Sequence, residues 1–308
     1  MSEHHLVVGA GPVGRHVAAL LVGRGDRVTV ASRSGRDTGV GGAAHVALDA
    51  SDADALTRAA EGAAVLYNCA NPGDYAQWAA TWPPLAAALL TAAERTGAVY
   101  AVTGNLYPYG PVEGPMHEGL PDAATDAKGV LRARMWQDAL DAHRAGRVRA
   151  VEVRASDYVG TGTGVNAHVT RVLPGALRGK GAWMIGRTDL PHTFTDVLDV
   201  ARTLVRAAGD GSAHGRTWNV PSNPPTSQAQ ALTDVLAAAG RPPVRVRGLS
   251  VPAVRALGVV TPVLREMVPL LYQWTAPYVL DDSAARAHFG IEPTPWDEVC
   301  RRTLVGVA

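Results

Sequence analysis

Apolar positions in the first half of the chain come in short runs separated by helically spaced stretches. Leu6-Val7-Val8, Arg27-Val-Thr-Val-Ala31, His45 to Leu48, Ala64 to Ala70, Ala98 to Thr103 and Val148 to Arg154 read as strands. Between them the pattern predicts helices from Pro12 to Leu21, from the Asp52 region to about Glu61, from Tyr75 to Thr96 and from Asp126 to His143. In the last of these, Leu131, Met135, Ala139 and Ala142 trace the apolar face, and Lys128 and Arg132 stand one turn apart. Strand and helix in strict alternation predict an α/β fold, a Rossmann doubly wound parallel sheet.

Beyond Gly164 the alternation loosens. A helix over 165–178, a strand at Trp183-Met-Ile185, a helix from Asp196 to Ala208, strands at 216–220 and 244–247, and packed helices over 249–274 are expected. This predicts a nucleotide-binding domain over 1–164 and a smaller, mixed C-terminal substrate domain over 165–308, with 191–222 returning to the first domain.

The first strand runs straight into Gly9-Ala-Gly11-Pro12-Val13-Gly14. That is G-x-G-x-x-G between a strand and a helix, the place where a dinucleotide's pyrophosphate meets backbone N–H groups. Gly9 suits the tight turn, Gly11 the close approach of phosphate, and Gly14 the packing of helix on strand. Pro12 fits the first helical turn, where its missing N–H costs nothing. At the end of the second strand, Ser32-Arg33-Ser34 stands where such folds carry an acid for the ribose 2′-hydroxyl, and a guanidinium there suits a 2′-phosphate. The cofactor expected is therefore NADP(H) rather than NAD(H). Asp49 reads equally as an adenine contact or a helix cap, and Ala70 and Asn71, at the end of the fourth strand, should pass near the cofactor.

Composition removes several classes of function. The 308 residues carry 29 basic and 28 acidic side chains, well mixed, a net charge of +1, so nothing suggests a field for nucleic acid or an anionic membrane. No apolar run reaches the roughly 18 residues of a membrane span, and the N-terminus shows no basic and apolar leader. Cys69 and Cys300 are widely separated, which suits a reducing cytoplasm and offers no zinc pair. No metal site is expected.

Hydroxyls gather in the loop Gly104-Asn-Leu-Tyr107-Pro-Tyr109-Gly110, and a second glycine-rich turn follows Arg154-Ala-Ser-Asp157-Tyr-Val-Gly160. With the glycine motif, these residues resemble the extended short-chain dehydrogenase/reductase superfamily, in particular its NAD-dependent epimerase/dehydratase branch and atypical members. Thr103 matches the family's Ser/Thr after the fifth strand, Tyr107 or Tyr109-Gly110 its Tyr-Gly loop, and His192-Thr-Phe-Thr-Asp-Val-Leu-Asp-Val200 its later Asp-Val segment. The family's Tyr-x-x-x-Lys pair falls on Lys128 and Arg132, so lysine stands for the tyrosine and arginine for the lysine.

That resemblance implies a small-molecule substrate between two domains, a dimer through two long helices, and proton exchange at the substrate oxygen as hydride moves to or from nicotinamide. On one reading Lys128, its pKa depressed by Arg132 and burial, takes the acid/base role; on another Lys128 only binds the cofactor's ribose or phosphate, and Tyr107 or Tyr109 donates the proton. The expected activity is an NADP(H)-dependent oxidoreductase acting on a carbonyl or alcohol. A nucleotide-binding regulator without turnover, or an epimerase, isomerase or cyclase without net redox, are the alternatives. His117, Asn166, His168, Arg187 and His192 are further candidates for the cleft.

Overall fold

The computed structural model describes residues 2–306. Its centre is a seven-stranded sheet, all parallel, in the order β10-β6-β5-β4-β1-β2-β3. The strands are β1 (His4–Val8), β2 (Arg27–Ser32), β3 (Ala43–Ala47), β4 (Ala63–Asn68), β5 (Val99–Asn105), β6 (Arg149–Ala155) and, after three short outlying strands, β10 (Thr217–Asn219). The connecting helices are α1 (Pro12–Gly23), α2 (Ala53–Ala59), α3 (Trp78–Thr96) and α4 (Ala127–Arg144), followed by α5 (His168–Ala176) and α6 (Val197–Ala208).

Side chains of β1 alternate between two cores, as a strand's period of two requires. Val7 joins Val17 and Leu21 of α1 and Val200 and Leu204 of α6 on one face; Leu6 and Val8 join Leu56 of α2, Leu89 of α3 and Trp136 of α4 on the other. Burial on both faces explains why these strands are continuous apolar runs rather than alternating ones. Pro83 and Pro84 do not break α3; the carbonyls they leave unbonded fall on the exposed residues Ala79 and Ala80.

The remaining elements cover the carboxyl ends of the strands. Two-stranded parallel pairs join β7 (Asp157–Val159) to β9 (Phe194–Asp196) and β8 (Ala182–Ile185) to β11 (Val246–Leu249). With α5, α7 (Gln228–Ala238) and α11 (Trp296–Thr303) they enclose a core of Val169, Leu173, Phe194, Leu232, Leu236 and Val299. The apolar stretch read as packed helices is α8 (Val251–Gly258), α9 (Pro262–Met267) and a 3-10 turn over Val268–Trp274, while α10 (Ser283–Phe289) returns to the first core. Ile185, Val254, Met267, Leu270 and Trp274 pack together there, against Tyr75 and Tyr107 from the strand-end loops. No helix among the described residues is long and apolar enough to cross a membrane.

The buried face of α4 differs from the expected one. Lys128, Arg132, Trp136 and Ala139 are buried, whereas Leu131 and Met135 are only half-buried. An apolar-pattern reading skips a face that carries two cations, of which Arg132 reaches the end of β5.

Candidate active site

Three glycines build the loop between β1 and α1, each for a different reason. Gly9 has φ +114°, and a Cβ there would lie 2.5 Å from the carbonyl oxygen of Cys69. A Cβ on Gly14 would lie 1.9 Å from the oxygen of Gly9, so helix and turn touch only through its absence. Gly11, the N-cap of α1 with φ −75° and ψ −174°, has nothing within 4 Å of its would-be Cβ. The space in front of Gly11 is therefore open, and it faces the N-terminus of α1, where Pro12 occupies the first position and Val13 packs into the core. Open space, free N–H groups and a helix dipole fit a dinucleotide pyrophosphate.

At the ribose end Ser32 closes β2 and its Oγ accepts the N–H of Gly35 at 3.1 Å, while Ser34 Oγ accepts Arg36 N at 3.3 Å. Arg33 is exposed beside them. Asp49 accepts from the N–H and hydroxyl of Ser51, and these bonds hold its carboxyl below the usual range; Asp52, not Asp49, caps α2. Ala70 N donates to Asn68 Oδ1 at 3.3 Å and Asn71 is exposed, so the turn after β4 lies at the carboxyl end of the sheet.

The acid/base candidates separate into two places. Arg132 reaches the end of β5, donating to the carbonyl oxygen of Thr103 at 2.8 Å with its guanidinium 4.8 Å from the Trp82 ring. Thr103 Oγ1 turns to Cys69 Sγ at 3.7 Å. Lys128 points elsewhere: Nζ donates to Glu266 Oε2 of α9 at 2.7 Å and lies 5.6 Å from the Tyr75 ring centre. The two cations thus diverge, and the amine's charged neighbour is a carboxylate, not Arg132 alone. Gly129 makes the placement possible, since a Cβ there would lie 2.6 Å from the Tyr107 carbonyl oxygen.

Tyr107 is at this site, its hydroxyl 2.9 Å from that of Tyr75, and burial pushes its phenol well above the ordinary value. Tyr109 lies apart, under the Arg154 guanidinium at 4.7 Å. Arg154 also bonds Asp122 at 2.6 and 3.0 Å and Glu152 at 2.7 Å, a closed ion network between the ends of β5 and β6.

A second cluster lies behind Tyr107. His192 Nε2 is 3.0 Å from Asp157 Oδ2; burial works to raise that carboxyl, yet the imidazole brings it down to about 2. His168 stacks on Trp274 with ring centres 5.1 Å apart, and burial lowers it to about 4. Gln228 Nε2 donates to the carbonyls of Ile185 and Arg187, so its Oε1 accepts from His168 Nε2 and leaves Nδ1 unprotonated. His117 and Arg187 are exposed, Arg187 paired with Asp189, and the side chain of Asn166 lies outside what is described. Among the described residues no cluster of His, Cys, Asp and Glu could hold a metal ion.

Sequence reasoning missed Glu266 and Tyr75. Tyr75 follows the turn after β4 and carried a signal, an aromatic one step past a strand end. Glu266 carried none, being one acid in an apolar stretch 138 residues from its partner.

A glycine turn fit for a dinucleotide at the switch of a parallel sheet, with two buried cations on the helix beside β5, fits a pyridine-nucleotide enzyme. The NAD dependent epimerase/dehydratase family model matches residues 5–220, and the chain belongs to that family. No curated protein sequence matches it. Solved structures share the fold. A dTDP-glucose 4,6-dehydratase from Bacillus anthracis str. Ames, in complex with NAD, is 14% identical over 98% of this chain and 96% of its own, with a TM-score of 0.79. A UDP-glucuronic acid 4-epimerase from Bacillus cereus is 16% identical over 97% of each chain, with a TM-score of 0.78.

Proposed function

We propose that the chain is an NADP(H)-dependent oxidoreductase acting on a carbonyl or alcohol of a small molecule, with Lys128 holding the proton at the substrate oxygen. The observation that carries this is the buried Lys128 amine, on the helix that the family resemblance makes the acid/base helix, beside the Tyr75 ring whose hydroxyl meets that of Tyr107. A bound nicotinamide supplies the hydride acceptor or donor. Gly9, Gly11, Pro12, Val13 and Gly14 bind its pyrophosphate, and Ala70 and Asn71 border it. Arg132 fixes the end of β5, which keeps Thr103 and the loop to Tyr107 in register with α4.

Preference for the 2′-phosphate rests on Arg33, exposed next to Ser32 and Ser34 with no acid at the end of β2. The family name and the dehydratase above carry NAD, so the two nucleotides are to be compared directly. Free Cys69 and Cys300 suit the cytoplasm, and a homodimer through α3 and α4 would cover the half-exposed Val130.

An epimerase that returns the hydride is favoured instead if product forms with no net nucleotide consumption. The deciding experiment follows NADPH and NADH oxidation across a panel of aldehydes, ketones and enones, then repeats it with Lys128→Met. A fall in turnover of roughly 10²–10⁴ with nucleotide affinity nearly kept supports the assignment. Full activity in Lys128→Met, with loss in Tyr107→Phe, moves the proton to the loop. Nucleotide binding without turnover on any compound leaves a regulator.

A further inference from the structure

The chain carries 29 lysines and arginines, and only Lys128 and Lys180 are lysines. Lys180 is exposed. Where the other long basic side chains are buried or paired among the described residues, as at Arg132, Arg154, Arg202, Arg286 and Arg302, arginine is used. A guanidinium holds charge but does not release its proton, whereas an amine does both. Lysine at 128 therefore sets in the interior a cation whose proton can leave.

A buried amine that gives up its proton has to recover it. Tyr75 presents its ring to Nζ, and its hydroxyl is engaged with Tyr107. Asp126, the N-cap of α4, directs Oδ1 to the backbone N–H groups of Lys128 and Gly129. Arg132 is turned to Thr103. Glu266 alone among these groups touches Nζ, and it is the more open of the two: its side chain is 25% exposed, against 9% for Lys128. One carboxylate oxygen holds the amine, and the other has no bond to the described residues and is not buried.

We infer that Glu266 is the positioning residue of the acid/base group, fixing the Lys128 amine and passing its proton to and from water. The inference rests on Lys128 being that group. Where a bound reduced nucleotide would supply hydride to the carbonyl carbon, the carbonyl oxygen would take its proton from Nζ and leave a neutral amine. Water then protonates the amine through the carboxylate, which ends ionised as it began. One proton is taken from solvent per turnover, and oxidation of an alcohol runs the same path backwards.

With two lysines in the chain, the Lys128 side chain can be followed in the full-length protein by ¹⁵N- and ¹³C-labelled lysine NMR, assigned with Lys180→Arg. This readout needs no substrate. In Glu266→Gln the pH midpoint of the Lys128 signal should fall by roughly one pH unit or more, because the opposing charge is gone, and Glu266→Asp should restore most of it. An unchanged midpoint in a folded Glu266→Gln protein overturns the inference.

With whichever carbonyl compound supports NADPH oxidation, Glu266→Ala should lose about 10-fold or more in kcat and regain rate in proportion to added formate, which takes the carboxylate's place. Lys128→Met should not respond to formate. If Lys128→Met is inactive while Glu266→Ala keeps full kcat and an unaltered pH profile, Lys128 stands and the role of Glu266 falls. If Lys128→Met is fully active, the assignment of Lys128 itself fails.

Discussion

Substituting Gly11 and Gly14 separately tests the cofactor cradle, because the structure demands opposite outcomes from two glycines three residues apart. Gly11 has an ordinary extended backbone and open space where its side chain would be, so Gly11→Val clashes with nothing in the chain. Loss of unfolded-state freedom stabilises by roughly 0.4–1 kcal/mol, and a branched apolar residue at an N-cap costs about as much, so the net change should stay within about 1 kcal/mol. The valine methyls, however, fill the space a pyrophosphate needs. Losing two charge-assisted N–H contacts at roughly 1.5–3 kcal/mol each weakens nucleotide binding by about 10²–10⁴-fold. Gly14→Ala behaves in the reverse way: its Cβ would sit 1.9 Å from the Gly9 oxygen, and either α1 or the turn must move. Overpacking of that kind typically costs about 1–3 kcal/mol. Calorimetric melting of the nucleotide-free proteins and titration with NADPH and NADH measure both quantities. Unaltered nucleotide affinity in a folded Gly11→Val protein would refute the cradle.

Arg33→Ala should lower NADPH affinity by roughly 10- to 100-fold through loss of a charge-assisted contact and leave NADH nearly unchanged; equal losses for the two refute a 2′-phosphate site. His168 should make the fold acid-sensitive. Its folded value of about 4 lies below the unfolded 6.5, so its contribution is complete above pH 6.5 and disappears as pH falls through about 4. The loss is on the order of 3 kcal/mol for a side chain this buried. His168→Gln should flatten that part of a urea-denaturation pH series, and an identical slope in the variant would show that another group is responsible.

Much of the architecture was legible in the residues alone. Period-two and period-3.6 patterns mark strands and helices locally, and doubly buried parallel strands such as β1 and β4 advertise themselves as apolar runs. The glycine loop was equally legible, because the demands on Gly9, Gly11 and Gly14 arise within one strand, one turn and one helix. The position of Lys128 and Arg132 on one helix also followed from spacing.

What those two cations touch did not follow. The sequence suggested that Arg132 acts on Lys128; packing sends Arg132 to the Thr103 carbonyl and Lys128 to Glu266. It left Tyr107 and Tyr109 equivalent, and packing sets one against Tyr75 and the other beneath Arg154. Local patterns record each residue's relation to its own helix or strand. An ion pair between α4 and α9 depends on how distant segments close over the sheet, through the packing of α8 and α9 with Trp274 against Tyr75 and Tyr107, and His192 meets Asp157 only because β9 pairs with β7.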